Sequence, residues 1–222
     1  MITVHHLNHS RSQRVLWLLE ELGTPYEIKH YQRNPRTMLA PPELKAIHPL
    51  GKSPVITDGP NTVAESGAIV DYVLDAHGEG RLRPAPNTPE LLRYRFFLHY
   101  AEGSLMPLML LALVFARMPK APMPFFMRPI IKGVSRQAGK QFVGPQIKLH
   151  LDFLEGELSN RTWLLGEELS AADIQMSFPI EAAAVRAGLE ANYPALGRYL
   201  HRIRERPAYQ RALSKGGPFK LG

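Results

Sequence analysis

No cysteine occurs in the 222-residue chain. Its absence excludes disulfides, cysteine-ligated zinc, iron–sulfur clusters and every cysteine-nucleophile mechanism, and it fits a reducing compartment. Long apolar runs are also missing. The longest, Leu105 to Ala116, contains Pro107 and falls short of the ~20 residues that cross a bilayer, so a buried helix and no membrane partner are expected. The opening residues, Met1 to His6, lack a basic region followed by an apolar one; no secretory leader is read there, and a cytoplasmic protein is expected. Neither a Gly-x-Ser-x-Gly elbow nor a His-Glu-x-x-His helix is present, which leaves hydrolase and metalloprotease readings without support. Acidic residues are in deficit, 20 against 27 Lys+Arg, for a formal charge of +7. Hydrophobic residues at 45% indicate a folded globular chain rather than a disordered one.

The positive charge is unevenly spread. Residues 1–80 hold 7 Lys+Arg and 9 Asp+Glu, and residues 81–222 hold 20 and 11. The change coincides with Pro84, Pro86 and Pro89, so the expected organisation is a first domain over 1–80, a linker over 81–89 and a second domain over 90–222. Arg128, Lys132, Arg136 and Lys140, then Arg198, Arg202, Arg204 and Arg206, are spaced to lie along helix faces. With no zinc finger, RNP motif or basic zipper beside them, they read as solvated faces, and no nucleic-acid partner is expected.

The first domain reads as β-α-β, a loop, then β-β-α. Ile2 to Leu7 is a strand candidate. Val15, Leu18, Leu19 and Leu22 repeat at helical period, closed by Gly23 and Pro25. Tyr26 to Tyr31 alternates as a second strand, parallel to the first. Val55-Ile56-Thr57 and Thr62-Val63-Ala64 flank a turn and form a hairpin, and Glu65-Ser66 opens a helix ended by Gly78. Beyond the linker, helical patterns dominate: Leu91 to Met118, Phe142 to Leu158, a helix opened by Ser170-Ala171-Ala172-Asp173, Tyr193 to Arg206 and Ala208 to Leu213. In the third of these, Ser170 and Asp173 stand as a capping box with Asp in place of Glu or Gln.

Gly51-Lys52-Ser53 imitates a P-loop ending, but Pro54 disfavours the helix that would have to follow. His5, His6 and His9 imitate a metal cluster, but neighbours on a strand point to opposite faces, so no metal is expected. Ser10 stands where strand turns into helix, and Glu65-Ser66 at a second helix start; such positions suit either a cap or an anion. Ser53-Pro54 is a candidate cis peptide ahead of a strand, which would leave the preceding peptide free to bind ligand backbone.

Taken together, His5-His6-Leu7-Asn8-His9-Ser10-Arg11-Ser12-Gln13-Arg14-Val15, His48-Pro49-Leu50-Gly51-Lys52-Ser53-Pro54-Val55, Glu65-Ser66-Gly67-Ala68-Ile69-Val70, and Trp163-Leu164-Leu165-Gly166 with Ser170-Ala171-Ala172-Asp173-Ile174 resemble the cytosolic glutathione S-transferases of the serine-type bacterial and fungal branch. Gly103 to Gly144 contributes little to the likeness.

The resemblance implies a thioredoxin-like α/β domain followed by an all-α helical bundle, and a homodimeric detoxifying transferase that uses glutathione as co-substrate and no metal. It implies Ser10 as the catalytic hydroxyl beside the sulfur, with Asn8 and Ser12 as rivals. A free thiol with pKa ~8.5 is little ionised at neutral pH without such help. Lys52 would meet the glycyl carboxylate, Ser53 before Pro54 the cysteinyl backbone, and Glu65 and Ser66 the γ-glutamyl end. His48 and Ser53 depart from the family's usual Asn and apolar residue. The thiolate would attack a hydrophobic electrophile, or a peroxide oxygen as a side activity. The electrophile pocket is expected along Tyr100 to Phe115, with Tyr100, Met106 and Met109, and with Met118, Met123 and Met127 as further lining; plain core packing is the competing reading for the methionines. The alternative function is a non-catalytic protein of the same fold that binds ligands or a partner.

Overall fold

A computed structural model describes residues 1–187 and 189–217. Strands β1 (Ile2–Leu7), β2 (Tyr26–Tyr31), β3 (Val55–Asp58) and β4 (Asn61–Ala64) form one sheet in the order β2-β1-β3-β4. The β1–β2 pair is parallel, with Ile2 opposite Tyr26 and Leu7 opposite Tyr31. The β1–β3 and β3–β4 pairs are antiparallel. Helix α1 (Ser12–Leu22) crosses between the parallel strands, and Gly23, at φ 65°, returns its N–H to the Leu19 carbonyl. Side-chain-bearing residues avoid that left-handed conformation, which is why glycine stands there.

Short helix α2 (Glu43–Ile47) lies in the Pro-rich stretch that shows no helical period, and α3 (Ser66–His77) follows β4. Arg81 to Thr88 holds neither helix nor strand. The helical part is α4 (Pro89–Tyr100), α5 (Met106–Arg117), α6 (Arg128–Ala138), α7 (Gly144–Leu158), α8 (Ala171–Ala187), α9 (Leu189–Asn192), α10 (Pro194–Glu205) and α11 (Pro207–Gly216). The short α9 has no counterpart in the helical pattern of the sequence. One π-helical turn, Ala101–Leu105, joins α4 to α5, and a second, Gly139–Val143, joins α6 to α7.

Helix α1 is the hinge of the architecture. Gln13 to Leu19 are buried all round, as a helix must be when it is covered on more than one side. The sheet lies on one side of it and α8 and α11 on another. Trp17 meets Tyr209 edge-on at 5.2 Å. Glu20 accepts from Arg211 and Lys215, and Glu21 from Arg206, at 2.5–2.8 Å. Burial alone would raise the Glu20 carboxyl, but hydrogen bonds from Lys215, Tyr26 and Arg211 hold it at about 2. The acidic first part and basic second part of the chain therefore meet within one molecule. This corrects the solvated-face reading for three arginines: Arg202 donates to the Thr162 carbonyl, Arg204 to Glu181 and Arg206 to Glu21.

The apolar run Leu105 to Ala116 is longer than it looks in isolation. It belongs to a continuous 32-residue helix, Pro89–Lys120, that by length and composition alone is long and apolar enough to cross a membrane. Tyr94, Phe97, Leu98, Ala101, Leu105 and Met109 of this helix are packed in the core of the helical part.

Asp173 is fully buried and gathers four donors: the Ser170 N–H and hydroxyl at 2.9 and 2.7 Å, the Leu164 N–H at 2.8 Å and the Tyr199 hydroxyl at 3.0 Å. Burial pushes its carboxyl up, against those hydrogen bonds. The expected capping box forms by half: Asp173 accepts the Ser170 N–H, while the Ser170 hydroxyl donates to the carboxylate instead of accepting the Asp173 N–H.

Candidate functional site

A cleft of about 520 Å³ opens at the ends of β1 and β3 and the start of α3, facing the π-turn and α5. Each wall has a local cause. The loop after α2 turns at Gly51, which has φ 56° and donates to the His48 carbonyl at 2.8 Å. A Cβ at Gly51 would stand 2.7 Å from the Lys45 side chain. The loop then delivers Lys52 and Ser53 to the cleft, and the Ser53–Pro54 peptide is cis. The β3–β4 ladder ends at Val55, so the backbone of Ser53 lies beyond it. Glu65 sits between β4 and α3 at φ 72°, a conformation that strains any residue with a Cβ. That backbone places the exposed Glu65 and the buried Ser66 side by side on the cleft wall.

Lys52, Ser53, Pro54, Glu65 and Ser66 thus share one cavity. Ser10 lies just behind it. It is buried, with its Oγ 3.3 Å from Ser53 Oγ and 2.8 Å from Ser12 Oγ, and it accepts the Ser12 N–H at 3.3 Å. Ser12 is wholly buried, and its hydroxyl is 2.9 Å from Nδ1 of His6. Burial, then the neighbouring His30, lowers the His6 ring to about 4, so it is neutral at neutral pH. Asn8 turns away, its side chain accepting the Arg33 N–H at 2.8 Å. Of the three polar residues at this turn, Asn8 meets the cleft wall only at Arg33, and Ser10 alone meets it at Ser53. His5 and His6 point to opposite faces, His5 to Tyr31 and Thr57 and His6 to Ser12. No cluster of three or more metal-ligating side chains occurs among the described residues.

The electrophile-pocket residues require correction. Tyr100, Met106 and Met109 are buried in the helical core, and none lines the cleft. The Tyr100 hydroxyl is held by His150 Nδ1 at 2.5 Å. Met118, Met123 and Met127 also lie outside the lining; the apolar part of the wall is Leu7, Met38, Leu39, Leu50 and Leu110. Of the Tyr100 to Phe115 segment, only Glu102 and Leu110 reach it.

Three charged residues of the site, Arg11, Arg14 and Glu102, carry no role in the sequence reading, although Arg11 and Arg14 lie within the His5–Val15 motif. Arg14 is fully buried, donating to Ser66 Oγ at 2.7 Å, to Glu102 at 2.5 Å and to the Gln175 carbonyl at 2.6 Å. Burial lowers it to about 10, opposed by Glu102, so it stays charged at neutral pH. Arg11 also pairs with Glu102, at 3.1 Å, and both guanidinium groups stand over the Phe178 ring at 5.2 and 5.4 Å. One signal for Glu102 was present: it is the only Asp, Glu, Lys or Arg from Phe96 to Ala116, and a lone charge in an apolar helix needs a buried partner. With Ser66 Oγ accepting from Arg14, the Ser66 hydroxyl proton is left for a ligand oxygen.

Residues 1–75 match the family model for the glutathione S-transferase N-terminal domain, and residues 108–207 the model for the C-terminal domain. Glutathione S-transferase 1 of Saccharomyces cerevisiae is 35% identical, over 97% of this chain and 95% of its own length. Glutathione S-transferase 3 of Schizosaccharomyces pombe is 34% identical, over 97% and 88%. Among solved structures, a glutathione S-transferase from Actinobacillus pleuropneumoniae superposes with a TM-score of 0.84 at 38% identity, over 100% of this chain and 95% of its own.

Proposed function

The chain belongs to the glutathione S-transferase family and is a glutathione transferase, and we propose that its cleft binds glutathione with Ser10 at the sulfur. The observation that carries this reading is the convergence of Lys52, Ser53, Glu65 and Ser66 on one cavity, with the Ser10 hydroxyl 3.3 Å behind Ser53. The ligand is a tripeptide with a zwitterionic end, a thiol and a terminal carboxylate, and each charge needs an answer. Glu65 answers the γ-glutamyl ammonium, Ser66 and the first N–H groups of α3 its carboxylate, and Lys52 the glycyl carboxylate. Ser53 meets the cysteinyl backbone through its own N–H and C=O, for which its polar side chain is no obstacle.

The Ser10–Ser12–His6 chain supplies a direction for the proton. The neutral His6 ring gives its one proton to the Gly216 backbone, so Nδ1 accepts from the Ser12 hydroxyl, the Ser12 N–H donates to Ser10 Oγ, and the Ser10 proton turns to a thiolate when one is bound. One charge-assisted hydrogen bond is worth ~1.5–3 kcal/mol, or roughly ten- to a hundredfold in turnover. The thiolate then attacks a hydrophobic carbon electrophile against Met38, Leu39 and Leu110, forming a C–S bond as the leaving group departs as an anion, or a peroxide oxygen, breaking the O–O bond to give glutathione sulfenic acid and an alkoxide that takes a proton from water. The ultraviolet thiolate absorbance of the glutathione complex, followed against pH, tests the assignment. Ser10→Ala raises the thiol pKa and loses turnover at retained glutathione binding; an unchanged titration moves the role to Ser12 or Arg11.

We further infer a homodimer of subunits divided near 81–89. Leu92, Phe96 and Leu149 are exposed on α4 and α7, an apolar face that a second copy would cover. Light scattering that finds a 25.0 kDa particle at physiological salt overturns it.

A further inference from the structure

Helix α6 is packed the wrong way round for a core helix. Its sequence is amphipathic, and such a helix ordinarily buries its apolar face. Here Ser135 is the only buried residue of Arg128–Ala138. Ile130 and Val134 are 64% and 52% exposed, and Phe125 and Phe126, in the turn that leads into the helix, are 83% and 62% exposed. At 100° per residue Ile130 and Val134 stand ~40° apart, and Arg128, Lys132 and Arg136 lie roughly 140–180° round from their midpoint. The cationic side is the one that meets the rest of the protein. Lys132, Ser135 and Arg136 line a groove with Phe115 of α5 and Ile147 of α7, which leaves the apolar side to the solvent.

The surroundings carry one sign of charge. No Asp or Glu occurs from residue 103 to residue 151, a stretch that holds seven Lys and Arg. Lys120, Arg128, Lys132, Arg136 and Lys140 are all exposed. The flanking acids are engaged elsewhere, Glu102 with Arg11 and Arg14 and Asp152 with Lys148. A second copy seated on this face would set the same cations against one another. The apolar face assigned above to the homodimer is also remote: Leu92 and Phe96 precede Lys120 by roughly 35–40 Å along the continuous Pro89–Lys120 helix. A basic amphipathic helix led by two phenylalanines has the composition of a segment that lies in the plane of an acidic bilayer.

We propose that Phe125 to Ala138 is a docking segment for an anionic lipid surface. Phe125, Phe126, Ile130 and Val134 enter the boundary between headgroups and acyl chains, and the exposed lysines and arginines supply the attraction to the headgroups. The helix lies on the membrane and does not cross it. This revises the expectation of no membrane partner, which rested on the lack of a spanning segment. Helix α5 runs from Leu110 on the cleft wall toward this tip, so docking holds the cleft close to the phase in which apolar compounds dissolve.

The test is flotation of the full chain with vesicles of phosphatidylcholine containing roughly one-third phosphatidylglycerol, beside vesicles of phosphatidylcholine alone. Binding to the acidic vesicles is expected to be at least about tenfold tighter and to weaken in about 0.5 M salt. Each of Arg128→Gln, Lys132→Gln and Arg136→Gln should weaken it about fivefold. Phe125→Ser with Phe126→Ser should weaken it at least about a hundredfold. Both rings are exposed, so the melting temperature of that double variant and its turnover of a water-soluble electrophile should hold. Phe126→Trp reports the depth: its emission shifts to the blue on acidic vesicles and is quenched by lipids brominated on the acyl chain. His201→Trp, at an exposed position of α10, is not quenched, and the native Trp17 and Trp163 are buried. Equal binding to both kinds of vesicle, binding to neither, or a Phe125→Ser, Phe126→Ser variant that binds like the native chain overturns the proposal. A particle mass that falls in that variant by light scattering, without vesicle binding by the native chain, gives the face to a second copy instead.

Discussion

Two buried polar clusters in this chain begin alike and end differently. One joins Ser10, Ser12 and His6 ahead of α1; the other joins Ser170, Asp173 and Tyr199 ahead of α8. Both carry serine at a helix start, where capping is the ordinary use. In the helical part both carboxylate oxygens of Asp173 are matched inside the protein, and although Ser170 lines a cavity its hydroxyl is spent on Asp173. In the α/β part the cluster stops one side chain short of closure, at Ser53 on the cleft wall. The difference shows that a helix-start serine remains a structural fastener when its hydroxyl proton is spent on a buried carboxylate, and becomes a candidate site residue when its partners are other hydroxyls beside a polar cleft.

Breaking the sealed cluster should cost most. Asp173→Ala strands the Leu164 N–H, the Ser170 groups and the Tyr199 hydroxyl together, an expected loss of about 3–4 kcal/mol in stability. Glutathione affinity of the folded fraction should hold, which denaturant titration and the Michaelis constant check separately. A large loss of affinity at intact stability would erase the contrast between the two clusters.

Acid should act next, through the open cluster. His6 is lowered to about 4 in the folded chain against 6.5 unfolded. Between those values the unfolded chain binds more protons, so the contribution is complete above pH 6.5 and is lost as pH falls toward 4. At pH 5 the expected loss is about 2 kcal/mol. His6→Asn, neutral at both pH values, should remove this share of the difference between denaturant midpoints at pH 7 and pH 5; an identical pH dependence in the variant would show that the ring titrates elsewhere.

Ser66→Ala sharpens the comparison within the site. The glutathione Michaelis constant should rise roughly three- to tenfold, the loss of ~1 kcal/mol of hydrogen bonding, while the thiolate titration stays in place. A shifted titration would mean that the two ends of the ligand site are not independent. The smallest effect is expected at the domain contact. Arg211, half exposed in its pair with Glu20, should cost less than ~1 kcal/mol when replaced by Ala, because solvent screens it and Lys215 remains.

The first 80 residues were legible because their signals are local. Gly23, the hairpin turn, Ser53-Pro54 and Glu65-Ser66 each act through their own backbone. The helical part was harder for a physical reason. The π-helical turns at Ala101–Leu105 and Gly139–Val143 each insert about one residue into an otherwise regular helix, shifting the face of all that follows by ~100°. A 3.6-residue period counted through Tyr100 to Phe115 therefore misassigns sides. Tyr100, Met106 and Met109 turn into the core, and Leu110 turns to the cleft.

By itself the sequence determined the β-α-β and β-β-α units of the first 80 residues, the parallel β1–β2 pairing, the end of α1 at Gly23 and the polar residues that share the cleft, since these depend on backbone preferences and on spacings within a few residues; α2, α6 and α9 were not read from it. The tertiary structure alone decided that Arg14 and Glu102, 88 residues apart, meet beneath Ser66. It decided that the Arg202–Arg206 run is spent on internal partners, and that Ile130 and Val134 of α6 face the solvent. Long-range pairs of charge are set by which helix faces are pressed together, and that depends on the packing of the whole core, which no local pattern encodes.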